Sequence, residues 1–455
     1  MALHSVNPAT GQLLESYEES DSAAVEARLD RAAEAQPAFA AQDVTARAAI
    51  LHRTAELLEA RVGDYARKMT LEMGKPIGEA EAEVRKCARV CRWYAAHAGR
   101  LLADDVVGTE ARRSFVRFEP LGIVLAVMPW NFPFWQVFRF AAPALAAGNA
   151  GLLKHASNVS GCSLAIEEVL RDAGAPEGVF QSLLVPSSRV EALIRDPRVR
   201  AVTLTGSDPA GRAVAATAGE NLKKTVLELG GSDPFIVCAD ADLDRAISTA
   251  VTARTMNNGQ SCIAAKRFLV ERSIADEFEL GFRNAMAALQ MGDPLDRDTQ
   301  VGPLATEAIR EELAAQVDAT IAAGGRKLLG GEIPTGRGWY YPPTIVADPP
   351  PGTPMRVEET FGPAAAILRF DSDDAAVILA NETEFGLGAS VWSRDLDRAH
   401  RFVTALEAGS VFVNAMVASD PRLPFGGIGN SGYGRELAGY GLREFLNIKT
   451  VWVEA

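Results

Sequence analysis

From residue 121 onward, short apolar runs alternate with longer stretches of helical periodicity, and this alternation constrains the fold more than any other property of the chain. Residues 122–128 are apolar after the glycine and bounded by Pro120 and Pro129, as suits a strand buried on both faces of a sheet. Further strands are expected at 150–154, 179–185, 200–205, 225–227, 234–238 and 267–271. Helices are expected between them at 135–147, 159–173, 188–194, 209–218, 242–256 and 274–289. Parallel neighbours need crossover connections, so this order predicts a doubly wound α/β architecture. A second round of elements follows at 304–324, 364–370, 373–381, 389–392, 396–407 and 410–414. Ahead of it all, residues 21–105 read as helical. Ile50, Leu51, Leu57, Leu58 and Val62 recur at helical spacing, and Gly74 before Pro76 marks a break.

A chain of 455 residues is too long for one core, so two or three domains are expected. Its net charge of -13 is scattered, which suits a solvated surface and argues against nucleic acid as a partner. The first residues carry no basic and apolar leader, so no secretory signal is expected. The apolar stretches at 121–128 and 140–153 are too short, or too broken by Pro143, Gly148 and Asn149, to span a membrane. Five widely spaced cysteines suggest reduced thiols and a cytoplasmic setting. Cys87 and Cys91 lie four apart on a helix and read as packing, because no ligand stands near them at metal spacing. The five histidines form no zinc pattern, and no metal is expected.

Three segments carry chemistry. Residues 200–211 run from an apolar strand into Gly206, with Ser207 or Asp208 able to cap a helix and Pro209 suited to its first turn. Amides at such a start can hold a phosphate, and Gly206 and Gly211 allow close approach, although an ordinary strand-turn-helix would read the same. In 227–234, Glu228 ends a strand before Gly230 and Gly231, where a carboxylate can serve as general base or simply sit on the surface. In 257–262, Cys262 follows a flexible, glycine-containing turn flanked by amide side chains. Asn131, after the first buried strand, adds a further amide. A nucleophile, a base and an amide donor are the parts that acyl chemistry requires.

Seven motifs occur in order: Pro129-Trp-Asn-Phe-Pro133, Leu153-Lys154, Thr205-Gly-Ser207 through Gly211, Glu228-Leu-Gly-Gly231, Gly259-Gln-Ser-Cys262, Glu358-Glu-Thr-Phe-Gly-Pro363, and Pro424-Phe-Gly-Gly427 leading to residues 431–436. On these motifs the whole chain resembles the aldehyde dehydrogenase superfamily. The resemblance implies a Rossmann-like cofactor domain, an α/β catalytic domain and a small β oligomerisation arm. It assigns 1–113 and 134–228 to the first, 229–425 to the second, and 114–133 with 426–455 to the third. It implies that Cys262 attacks the aldehyde carbon, and that Asn131 and the Cys262 N–H hold the oxyanion. Glu228 would activate water against the thioester. Trp130, Lys154, Ser157, Gly206, Ser207, Gly211, Leu229, Glu359 and Phe361 would contact the cofactor.

Many relatives that prefer NAD carry a glutamate where this chain has Ser157. Serine neither repels nor crowds a 2'-phosphate, and Lys154 can pair with one, so NADP is expected, with NAD also possible. Within the superfamily the resemblance is nearest to the shorter bacterial succinate-semialdehyde dehydrogenases, carried by 130–139, Lys154-His-Ala156, 262–267 and 414–422. An aldehyde bearing a distal carboxylate needs a cation in its tunnel. Arg139 is either that cation or a structural salt bridge, and Ser419 would add a hydroxyl. A second arginine of some relatives is Met256 here, which leaves broad aliphatic or aromatic aldehydes as the alternative substrates. A CoA-acylating enzyme and a non-catalytic binding protein are further alternatives, disfavoured by the retained Glu228, Cys262 and Asn131. Ile263 and Ala264 follow Cys262, so the adjacent redox cysteine of some relatives is lacking. The resemblance also implies that a strand pair formed by the 114–127 region and 448–454 pairs with a neighbouring subunit, giving a homodimer or homotetramer; 447–454 alternates as an edge strand would.

Overall fold

A computed structural model describes residues 2–454. Two sheets organise the chain. The first has six strands in the spatial order Gly432–Tyr433, Lys224–Glu228, Val199–Thr205, Ile123–Met128, Ala150–His155 and Phe180–Ser182. All its pairs are parallel except the one made by the first strand. Chain order reverses between Ile123–Met128 and Val199–Thr205. Ligand crevices form at such a switch point, beyond the carboxyl ends of the strands.

The second sheet has seven strands, in the order Arg326–Leu329, Thr344–Ala347, Ala364–Phe370, Arg267–Glu271, Pro234–Val237, Gly388–Trp392 and Ser410–Val413. Only its first pair is antiparallel. The doubly wound expectation therefore holds twice. Helices cover both sheets because nearly every residue of the central strands is apolar and buried.

Four helices fill the region expected to be helical, Ser22–Ala40, Val44–Ala60, Val62–Met73 and Ile77–Leu101. Gly74 ends the third in the left-handed region, with φ 81°. Two buried carboxylates from this region cap helices far away in sequence. Glu72 accepts the N–H groups of Gly161 and Cys162, each at 2.9 Å. Glu83 accepts those of Phe134 and Trp135, also at 2.9 Å, at the start of helix Trp135–Ala147. Each satisfies amides that a helix leaves open and sits at the positive end of its dipole.

Two features differ from the sequence reading. Strand Ile123–Met128, grouped above with the oligomerisation segment, runs in the middle of the six-stranded sheet, as its two buried faces require. The arm itself is smaller. Leu446–Val453 pairs antiparallel with Arg113–Pro120, which in turn pairs with Asp105–Val106. An N-terminal hairpin, Ala2–Asn7 with Gln12–Glu18, was not expected, because its residues are largely exposed and carry no clear apolar alternation. Cys87 and Cys91 pack fully buried in the largest core. Among the described residues, no helix is long and apolar enough to cross a membrane.

Candidate active site

The turns leaving Ile123–Met128 and Val199–Thr205 form one wall of a cavity of about 350 Å³. Trp130, Asn131, Gly206, Ser207, Leu229, Cys262, Glu359 and Phe361, each singled out in the sequence, all line it. Ser207 stands extended before helix Asp208–Glu220 and makes no side-chain cap, so the first amides of that helix keep no side-chain acceptor. Gly211 lies within that helix rather than on the cavity wall. A Cβ there would fall 2.6 Å from Leu229 Cδ2, so glycine lets the helix pack onto the residue after Glu228. Trp130 and Phe361 face each other edge to face across 5.7 Å. Glu359 accepts the Gly231 N–H at 3.0 Å and lies 3.5 Å from Lys266 Nζ.

Lys154 and Ser157 lie outside this wall, at the end of the adjoining strand. Ser157 is exposed and begins a short 3-10 turn. Lys154 is buried without a carboxylate partner among the described residues, and burial lowers its pKa. These residues fit a dinucleotide. Open amides at a helix start suit the pyrophosphate, the two aromatics and Glu359 suit the nicotinamide end, and an unpaired buried lysine suits a further phosphate.

The loop carrying Cys262 is held rigidly, contrary to the flexible turn expected. Asn257 and Asn258 both adopt φ 57°, a region that asparagine tolerates better than most side chains. Asn257 Nδ2 donates to the carbonyls of Asn131 (2.7 Å) and Gln260 (2.9 Å), while Asn258 Nδ2 donates to those of Gly74 and Pro303. Buried Arg254 donates to the Gly259 carbonyl at 2.6 Å. Asn131 Nδ2 donates to the Gln260 carbonyl at 3.1 Å, which leaves its second N–H free. The Cys262 N–H has no acceptor among the described residues. Burial pushes the Cys262 thiol up to about 12, so a base or a cation must help to ionise it.

Glu228 ends its strand fully buried, and neither of its oxygens has a hydrogen-bond partner among the described residues. Burial pushes its carboxyl up to about 8, opposed chiefly by Arg139. Arg139 is itself buried on helix Trp135–Ala147. Its guanidinium pairs with Glu436, reaches Thr205 Oγ1 at 3.3 Å and lies over the Phe425 ring. Of the two readings left open for Arg139, this geometry is that of a structural ion pair.

A second, narrow pocket of about 70 Å³ meets the wide cavity at Cys262 and Gln136, which line both. Arg139, Met256, Ser419 and Phe425 also line it. So does Lys86, which the sequence reading missed. It comes from helix Ile77–Leu101, and nothing local in 77–101 distinguishes Lys86 from a solvent-facing lysine. Gln136, Glu436 and Lys266 were missed as well. Lys266 donates to the carbonyls of Ser261 and Cys262, and so fixes the nucleophile loop from behind. A thiol between a dinucleotide-shaped cleft and a narrow pocket, beside open N–H donors and a buried carboxyl, can support attack on a carbonyl, stabilisation of the oxyanion and hydrolysis of an acyl thioester.

Comparison with known proteins agrees with this chemistry. A model of the aldehyde dehydrogenase family matches residues 1–451. A probable succinate-semialdehyde dehydrogenase [NADP(+)] of Synechocystis sp. is 52% identical over 453 residues and covers 100% of both chains. A succinate-semialdehyde dehydrogenase [NADP(+)] of Mycobacterium avium is 53% identical over 457 residues, covering 100% of this chain and 97% of that one. Among solved structures, succinic semialdehyde dehydrogenase from Streptococcus pyogenes in complex with NADP+ superposes with a TM-score of 0.98 at 34% identity, covering 100% of both chains.

Proposed function

The chain belongs to the aldehyde dehydrogenase family, and from that membership we propose that it oxidises succinate semialdehyde to succinate with NADP as hydride acceptor. One observation carries the reading. Cys262 stands where the wide cleft and the narrow pocket meet, so a short aldehyde tail and a nicotinamide can approach the same sulfur from opposite sides.

In this reading Cys262 attacks the aldehyde carbon once its proton has been removed, forming a C–S bond. The free N–H of Asn131 and the Cys262 N–H hold the developing oxyanion. A bound nicotinamide would supply the acceptor for the hydride that the tetrahedral carbon loses on becoming a thioester. Glu228 then accepts a proton from water, the water oxygen attacks the thioester carbon, and the C–S bond breaks to return the thiol. Trp130, Phe361, Glu359, Gly206, Ser207 and Leu229 orient the cofactor, with Gly211 and Leu229 shaping the turn beneath it. Lys154 would hold a 2'-phosphate and Ser157 would leave it room, which favours NADP over NAD. The first sheet and its helices bind the cofactor, the second carries Cys262, and the arm joins subunits into a homo-oligomer. Five free thiols support a reducing, cytoplasmic setting.

The test is kcat/KM for succinate semialdehyde, butanal and benzaldehyde, each with NADP and with NAD. Succinate semialdehyde with NADP is expected to be highest. A neutral aldehyde in first place, or a product that forms only when CoA is added, would overturn the reading.

A further inference from the structure

A short carboxylate tail entering the narrow pocket leaves water for mostly apolar walls, and its charge must be met there. Two cations line the pocket. The first, Arg139, is already neutralised by Glu436 and is further occupied by Thr205 and the Phe425 ring. The second, Lys86, has no carboxylate partner among the described residues. Its Nζ donates to Ser419 Oγ at 2.6 Å and lies 4.1 Å from the centre of the Trp135 ring.

The nearest acid on the same helix, Glu83, is taken up by buried Lys75 and by the N–H groups of Phe134 and Trp135. The positive charge at Lys86 is thus the one in this pocket without an acidic counterpart among the described residues. Ser419 accepts from Lys86 through its oxygen and keeps its own O–H free to donate, so the pair presents two donors to one carboxylate.

We propose that Lys86, with Ser419, is the anchor for the distal carboxylate and sets the preference for a short ω-carboxy aldehyde, Arg139 serving instead to hold Glu436 and the base beside it. This rests on the substrate reading above and names the group that would enforce it. It also accounts for Met256. The cation that some relatives carry there is supplied here from helix Ile77–Leu101, across the same pocket.

The experiment compares wild type with Lys86→Met, Lys86→Gln and Lys86→Arg, using NADP with succinate semialdehyde and with butanal, a neutral aldehyde of the same chain length. The readout is the preference, the ratio of the two kcat/KM values. In Lys86→Met and Lys86→Gln it is expected to fall on the order of 100-fold, through KM for the semialdehyde. Lys86→Arg is expected to keep most of it. Should the methionine variant fail to fold, the glutamine variant carries the comparison.

A pH series supplies a readout that a purely structural lysine would not move. Burial and the nearby charges of Arg139 and Arg89, against Glu83 and Cys87, hold Lys86 down at about 8. The wild-type preference should therefore decline above pH 8, whereas that of Lys86→Arg should stay level. A wild type with no preference for the semialdehyde overturns the substrate reading, and this proposal with it. A wild type that prefers it, with neutral variants within about threefold of that ratio, overturns the role of Lys86 alone.

Discussion

The protein raises the pKa of half-buried Cys262 and of buried Glu228, against the ionised forms that catalysis needs, and this sets the pH behaviour. Glu228 acts as a base only when ionised, and its carboxyl stands at about 8. Turnover limited by thioester hydrolysis should rise as pH increases from 7 and level off above about 8, measured as steady-state kcat. Glu228→Gln should leave a rapid burst of NADPH and slow the steady state by roughly 100-fold or more. The same carboxyl predicts a stability change. Its folded pKa lies above the ordinary carboxyl value, so native stability declines as pH rises from the ordinary range through about 8. Glu228→Gln should melt higher than wild type, with the gap widening across that window. Arg139→Leu would strand Glu436 and remove the main charge that holds Glu228 down. It should cost about 3–5 kcal/mol of stability and shift the kcat profile to higher pH, with both aldehydes affected alike. A selective loss for succinate semialdehyde would instead make Arg139 the anchor.

At the level of elements, the nucleophile loop depends on close backbone packing. Gly259 has φ 73°, and a Cβ there would stand 2.3 Å from the Gly362 carbonyl. Gly259→Ala should displace residues 259–262 from Asn131 and abolish activity while the sheets remain, a result that circular dichroism beside an NADPH assay would separate from unfolding. Helix Trp135–Ala147 depends on a different device, its capping by Glu83 from 51 residues away. Motif reading found the helix to the residue, because 135–147 is apolar nearly throughout. It could not find the cap. A glutamate on an amphipathic helix looks solvated until the chain folds back and buries it.

For the whole molecule, the arm offers an edge at which the proposed oligomer would form. Leu446–Val453 is the outer strand of its small sheet, with Ile448, Trp452 and Val453 exposed at 60%, 44% and 42%. A free edge carrying large apolar side chains is a pairing surface unless something covers it. Thr450→Pro together with Trp452→Lys should convert the proposed oligomer to smaller species, as read by light scattering during size exclusion. An unchanged mass would place the interface elsewhere.

The sequence by itself determined the alternating architecture and many of the residues that line the wide cavity. Those features are written locally, in apolar runs bounded by glycine or proline and in short motifs at strand ends. It also brought Cys262, Glu228 and Asn131 forward, since each is the chemically exceptional residue of its motif. Only the tertiary structure decided which cations face the narrow pocket and which of them is free. Arg139 and Lys86 are 53 positions apart and Glu436 almost 300 beyond Arg139. Whether a charge is spent in an ion pair or open to a substrate depends on which partners folding brings within reach, and no local pattern records that.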